Sequence, residues 1–168
     1  KTNYIKATTY YDRLDYINTK NELSKAISTD PNFVEAYMLL GDVNTDLKNF
    51  EEAIEAYSNA LTINPYFFVG TYFNLANVQL KTGLYEDAKS NYELYLKYGD
   101  ILPARKSEVE RKIAICEFAI EAIANTVPFN PINMGDSINT PNDEYLPALT
   151  ADEQTLIITM RRPKDEFT

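Results

Sequence analysis

The side chains in this chain that could do chemistry are mostly carboxylates. Asp143-Glu144 and Asp152-Glu153 are adjacent acidic pairs, the raw material of general acid–base or metal-assisted hydrolysis. Nothing else that such chemistry uses accompanies them. The 168 residues include no His and a single Cys, Cys116. A Ser–His–Asp triad, a Cys–His pair and any His-ligated metal are therefore excluded. One thiol also leaves no internal disulfide, no CxxC and no Fe–S cluster, and it is compatible with either redox compartment. Carboxylates at strand ends and turns are ordinarily solvated or capping groups. The expectation is a non-enzymatic protein with no catalytic residues, no metal site and no cofactor.

Composition narrows the partners. Sixteen Lys and Arg stand against 25 Asp and Glu, a net charge of −9. The excess is spread along the whole chain, so its surface repels phosphate backbones and nucleic-acid binding is not expected. An apolar fraction of 45% is that of an ordinary globular protein. The longest apolar stretch, Ile113 to Ala124, is broken by Glu117 and Glu121, which predicts no transmembrane helix. The chain opens at Lys1 without Met or a signal-like apolar segment, as a mature or trimmed fragment would.

The elements that carry these residues come from an internal repeat. Ser24 to Phe33 (SKAISTDPNF) aligns with Ser58 to Phe67 (SNALTINPYF) at a shift of 34. Tyr37, Leu40, Gly41, Phe50, Ala53 and Tyr57 recur at a shift of 35 as Tyr72, Leu75, Ala76, Tyr85, Ala88 and Tyr92. The extra residue falls in the connection around Phe67 to Thr71. Apolar residues keep helical spacing from Val34 to about Leu47 and from Phe50 to Ile63. Gly41, Ala53 and Ala60 are small where two antiparallel helices must approach, and Pro65 ends the second helix. Each hairpin leaves an apolar face that its neighbour buries.

The series Tyr37-x2-Leu40-Gly41-x2-Asn44, Ala53-x3-Tyr57, Ala60, Pro65 resembles the tetratricopeptide repeat family. Tyr37 stands for the usual Trp, and Asn44 departs from the usual Tyr. Three repeats are predicted over about residues 1–101. Ile101 to Asn125 then reads as one longer helix, opened by Pro103, with Val109, Ile113, Cys116, Ile120 and Ile123 on one apolar stripe. Arg105, Lys106, Arg111 and Lys112 lie off that stripe. It is expected to cap the last repeat, with a partner-binding amphipathic helix as the alternative. Cys116 on the stripe reads as a small core residue rather than a reactive thiol.

The resemblance implies a groove for peptides or partner proteins along the first helices. Its positions here are Tyr4, Thr8 and Tyr11, then Glu35, Met38, Asp42 and Asp46, then Phe73, Asn77 and Lys81. Asp42 and Asp46 at its centre would repel a terminal carboxylate. A chaperone-tail clamp is thereby disfavoured, and a basic or neutral aromatic segment fits better. Most of the 13 Tyr are not groove residues: Tyr37, Tyr57, Tyr72, Tyr85 and Tyr92 sit at repeat packing positions. Tyr4, Tyr11 and Phe73 are the aromatic groove candidates.

After Asn125 the composition changes. Pro128, Pro131 and Pro141 with Asn-Pro and Gly-Asp steps predict an extended linker over 126–142. Tyr145 to Thr150 and Thr155 to Arg161 are β-prone runs around the turn-like Ala151 to Gln154, a hairpin. Asp143-Glu144-Tyr145-Leu146-Pro147, Thr150-Ala151-Asp152 and Thr159-Met160-Arg161-Arg162 resemble the opening of a WD-like β-propeller blade of the TolB-related and OmpA-associated envelope type. Glu153 stands where that family has Gly in the turn. Residues 143–168 are on this resemblance the first strands of a propeller whose other blades are missing.

The predicted architecture is therefore all-α: three helical hairpins and a capping helix over 1–125, the 126–142 linker, and a β-hairpin from an incomplete propeller. Repeats followed by such a propeller resemble periplasmic adaptors of the type IX secretion and gliding apparatus. That implies a scaffold linking an outer-membrane β-barrel or secretion and motility component to the cell wall. Peptidoglycan contact would then lie in domains beyond this chain. The alternative is a cytoplasmic tetratricopeptide co-chaperone or regulatory adaptor.

Overall fold

Among the described residues seven helices follow one another from the N-terminus: α1 (Thr2–Tyr11), α2 (Tyr16–Thr29), α3 (Val34–Asp46), α4 (Phe50–Ile63), α5 (Gly70–Lys81), α6 (Tyr85–Tyr98) and α7 (Pro103–Ala124). Two strands come after them, β1 (Asp143–Leu149) and β2 (Leu156–Arg161). The computed structural model describes residues 1–127, 130, 132, 135, 138, 141–151 and 154–161. They form two units, Lys1–Thr126 and Val127–Thr168. Of the 126–142 linker, Pro128, Pro131, Asn139 and Thr140 lie outside the described residues, as do Asp152, Glu153 and Arg162.

The helices pair as three hairpins whose turns are copies of one another. Leu14, Lys48 and Gly83 each adopt positive φ, at 59°, 61° and 81°. They stand 34 and 35 positions apart, the shifts found in the sequence. In each turn the next amide reaches back five residues to close the helix. Asp15 N donates to Tyr10 O at 3.0 Å, Asn49 N to Asn44 O at 2.8 Å and Leu84 N to Gln79 O at 2.9 Å. This 6→1 bond around a left-handed residue is the Schellman ending of a helix. Of the three left-handed positions only the last is Gly, the residue that enters that conformation without a Cβ penalty.

The second helices end alike where proline follows. Asp30 and Asn64 leave the helix in extended conformation, as the residue before proline must. Their side chains then accept from the amides of Asn32 and Tyr66, each at 3.1 Å. The connection before α5 spans residues 64–69, longer than the 30–33 connection before α3, and so absorbs the inserted residue.

The core is a relay of small clusters rather than one centre. Ala7, Leu23, Ala26, Leu39 and Val43 join α1, α2 and α3. Ala53 and Tyr57 meet Leu75 and Val78 between α4 and α5. Ala76, Ala88 and Tyr92 meet Val109 and Cys116 between α5, α6 and α7. Each helix buries its apolar face on its neighbours, the arrangement that stabilises a solenoid. At Gly41 of α3 there is no room for a side chain: a Cβ there would clash with the Tyr57 ring of α4.

Where the repeat pattern asks for an aromatic residue, both complete repeats bury an amide and satisfy it. Asn44 is 1% exposed and its Oδ1 accepts from Lys20 Nζ of α2 at 2.8 Å. Gln79, its counterpart 35 residues on, accepts from Asn91 Nδ2 of α6 at 2.8 Å. A buried amide without a partner would cost on the order of 1–3 kcal/mol.

Helix α7 packs on α6 through Val109, Ile113 and Cys116, with the thiol fully enclosed and its pKa pushed up, chiefly by burial. The stripe does not stay buried to its end. Ile123 is 62% exposed; with Ile120 it lines an open cavity against Gly83 to Asp87 at the start of α6.

In the second unit β1 and β2 pair antiparallel, with Asp143 opposite Arg161 and Leu149 opposite Leu156. The register slips between Tyr145 and Ala148, where Pro147 has no amide to give the ladder. Thr150 closes the turn side, its amide donating to Thr155 O and its Oγ1 accepting from Thr155 N, both at 3.0 Å. Ile157 and Leu149 remain exposed. A two-stranded ribbon of this kind is marginal in water by itself.

Candidate functional site

The first helices of the hairpins, together with α7, line a cavity of about 480 Å³. Tyr11 comes from α1, Asp42, Thr45 and Asp46 from α3, Asn77 and Lys81 from α5, and Lys112 from α7. Tyr57 of α4 reaches in from behind. Five of the groove residues expected from sequence meet here: Tyr11, Asp42, Asp46, Asn77 and Lys81. The other five, Tyr4, Thr8, Glu35, Met38 and Phe73, do not line this cavity. Tyr4 stacks on Phe33 with ring centroids 5.0 Å apart, Met38 is half-buried, and Phe73 packs against Tyr92 and Tyr95.

Tyrosine hydroxyls hold the polar groups in place. Tyr57 OH donates to Asp42 Oδ1 at 2.6 Å and Tyr11 OH to Asp46 Oδ2 at 2.9 Å. In the next repeat Tyr92 OH donates to Asn77 Oδ1 at 2.8 Å. Burial, helped by the neighbouring carboxylates, pushes the Tyr11 and Tyr57 hydroxyls well above the ordinary value of 10.0, so both remain donors at neutral pH. The Asp42 carboxyl is also raised, first by burial and then by the charge of Asp46, while the Tyr57 hydrogen bond pulls the other way. Asp42 and Asp46 are like charges one helical turn apart, an arrangement that costs a helix about 0.2–0.5 kcal/mol. Among the described residues no Lys or Arg nitrogen lies within 4.0 Å of either carboxylate.

The far end of the cavity is cationic. Lys112 Nζ donates to Asn77 Oδ1 at 2.9 Å and stands 5.7 Å from the Phe73 ring centre and 5.9 Å from that of Tyr92. Arg105 covers Phe73 at 5.0 Å while pairing with Glu108 at 2.9 Å. Lys81 Nζ sits 5.9 Å from the Phe50 ring centre. Cation–ring contacts of this kind are worth about 0.5–1 kcal/mol at exposed sites. Sequence reasoning missed Lys112 and Arg105 because it assigned α7 to capping. A signal existed: Asp42, Asn77 and Lys112 are spaced by 35, so Lys112 is the same groove position carried one helix further.

This is the architecture of a helix-hairpin solenoid with a peptide-sized groove. Residues 34–67 match one tetratricopeptide repeat family model and residues 69–98 match another; by its turn and cap geometry α1–α2 is a further hairpin of the same kind. The chain thus carries tetratricopeptide repeats. Among solved structures it is similar to the TPR2B domain of yeast Sti1 in its pHsp70 complex, at 18% identity, 70% of this chain, 94% of that chain and a TM-score of 0.60. The first TPR of Spaghetti bound to the HSP90 peptide SRMEEVD gives 18% identity, 71% and 91% coverage and a TM-score of 0.62. The Yersinia enterocolitica type III secretion chaperone SycD, in complex with a peptide of the translocator YopD, gives 18%, 70%, 91% and 0.62. At these identities the likeness is one of fold. No curated protein sequence matches the chain significantly.

Of the two acidic pairs, Asp143-Glu144 lies among the described residues and Asp152-Glu153 outside them. No group of His, Cys, Asp and Glu among the described residues could hold a metal ion. Glu144 and Asp143 sit on β1 opposite Met160 and Arg161. No described helix is long and apolar enough to cross a membrane.

Proposed function

We propose that residues 1–125 are a non-enzymatic scaffold module that holds a partner protein by a peptide segment laid in the α1–α3–α5–α7 groove. The observation that carries this reading is the cavity itself: polar side chains from four successive helices, fixed by tyrosine hydroxyls, face one space large enough for a peptide. Three similar solved structures are complexes with pHsp70, an HSP90 peptide and a YopD peptide, which supports the same use of the fold here. Cross-linking from a photoreactive residue placed at Lys81 should capture a partner. A matching residue at Glu51, on the exposed side of α4, should capture none; equal yield from both positions would sink the groove reading.

The finer reading is a periplasmic, outer-membrane-associated adaptor that links a β-barrel or a type IX secretion and gliding component to the cell wall. It is supported by the resemblance of about residues 128–162 to an opening propeller blade and by the marginal stability of a two-stranded hairpin in water. Affinity capture from an envelope fraction tests it: recovery of outer-membrane components supports the adaptor, and recovery of cytosolic chaperones alone counts against it. The second reading, a co-chaperone, is favoured by one feature, the lysines at the α5–α7 end of the groove, and opposed by Asp42 and Asp46.

A further inference from the structure

The groove positions change sign along the solenoid. At one position the successive first helices carry Thr8, Asp42, Asn77 and Lys112; one turn further they carry Asp12, Asp46 and Lys81. The anionic members belong to the first two hairpins and the cationic ones to the third hairpin and α7. Asp42, Asp46, Lys81 and Lys112 all border the same cavity, yet within the described residues none of these carboxylates pairs with any of these lysines. The carboxylates take hydroxyl hydrogens from Tyr57 and Tyr11, while Lys112 rests on the neutral oxygen of Asn77. Opposite charges facing one space without meeting leave the attraction between them to whatever fills it.

We propose that the groove is a dipolar peptide site: it takes an extended segment carrying one Lys or Arg and one Asp or Glu. The basic side chain lies between Asp42 and Asp46 and the acidic side chain between Lys81 and Lys112. This rests on the groove reading above and adds to it the chemistry and polarity of the occupant. Asp46 is exposed and Asp42 half-buried, so an incoming ammonium or guanidinium reaches both. It would relieve the like-charge repulsion between them, and being the only cation there it would not have to displace another. At the other end Asn77 spaces Lys112 from Tyr92 and leaves two of the three ammonium hydrogens for a ligand carboxylate. Internal acidic side chains are the source assigned here rather than a chain terminus, because the cavity is bordered from α1 through to α7 and the basic residue must be seated at its α1–α3 end.

The test is selection of twelve-residue display peptides on the whole chain. Winners are then remade with acetylated N-termini and amidated C-termini, so that only side chains carry charge, and their binding is measured by fluorescence anisotropy. The expected result is a set with one basic and one acidic residue in a fixed order. Asp46→Lys should weaken such a peptide about tenfold, a change of 1.4 kcal/mol, and exchanging the peptide's basic residue for Glu should restore binding. Lys112→Glu should do the reverse, rescued by a basic residue at the acidic place. Raising salt should weaken every wild-type complex. Winners that bind the groove without a charge pattern, or that ignore both reversals, would overturn the dipolar site and leave the groove reading standing. Binding that survives only with a free carboxyl terminus would overturn it in favour of terminus capture. Failure to select any peptide that competes for the Lys81 cross-linking position would overturn the groove reading itself.

Discussion

The second and third hairpins carry the same bond to different ends. In both, a tyrosine on the second helix donates to the groove position of the first: Tyr57 to Asp42 at 2.6 Å, Tyr92 to Asn77 at 2.8 Å. The acceptor in one is an anion flanked by another anion. In the other it is a neutral oxygen that accepts a second hydrogen from Lys112. The repeat geometry therefore fixes where a groove atom stands, and the residue type alone sets the local charge. That separation lets a solenoid of near-identical units present a surface that is not repetitive.

The comparison can be broken most severely at the close approach. Gly41→Val puts atoms inside the Tyr57 ring and should cost about 3 kcal/mol in urea denaturation, by the strain of overpacking. The counterpart Ala76→Gly opens space instead and should cost only about 1 kcal/mol, the helix penalty of glycine. Similar losses at the two sites would show that the hairpins do not differ in clearance. Next comes the shared bond. Tyr57→Phe leaves the half-buried Asp42 without its donor and should cost about 2 kcal/mol, whereas Tyr92→Phe leaves Asn77 to Lys112 and should cost about 1 kcal/mol.

The turns give a smaller contrast. Gly83→Ala forces a Cβ into left-handed backbone and should lose about 1 kcal/mol, while Lys48→Gly relieves the same strain and should be neutral or gain a few tenths of a kcal/mol. Thermal melts of the two variants should move in opposite directions or differ clearly in size.

The smallest effect is the most diagnostic. Asp42→Asn makes the second hairpin copy the third, keeping an acceptor for Tyr57. Because the folded Asp42 carboxyl is raised above its ordinary value of 3.8, the folded state prefers it protonated, and its ionisation opposes folding at higher pH. The variant should therefore be more stable than the parent at pH 7. That advantage is full above the raised pKa and gone once the pH falls below 3.8. A variant less stable at pH 7 than the parent would mean that the Tyr57 hydrogen bond outweighs burial.

Much of this was legible in advance. The shift of 34 and 35 gave three hairpins with α3 and α4 at nearly their observed limits, since helical periodicity and a following proline are local signals. The same reading placed Tyr57, Tyr72 and Tyr92 in the core, where they are buried. Candidate groove residues were partly legible: Tyr11, Asp42, Asp46, Asn77 and Lys81 were reachable by carrying repeat positions across. Tyr4 and Phe73 went instead into aromatic packing, because an aromatic ring at a half-buried position finds a ring partner before it finds solvent. Ile123 failed as a core residue because spacing along one helix does not say how closely the neighbouring helix packs against it.

The sequence by itself determined the unit: two helices, a small residue where they approach, a proline after the second, repeated at a fixed interval. These are short-range requirements, met within some 35 residues, and each leaves a mark in the pattern. What the unit adds up to was decided by the tertiary structure. Lys112 lies 35 residues beyond Asn77 and 70 beyond Asp42, outside the repeats that the pattern delimited. Only stacking α7 on α6 brings its ammonium to the same cavity as the two carboxylates. Charge acts through space, and the order of charges along the groove exists only once the helices are side by side.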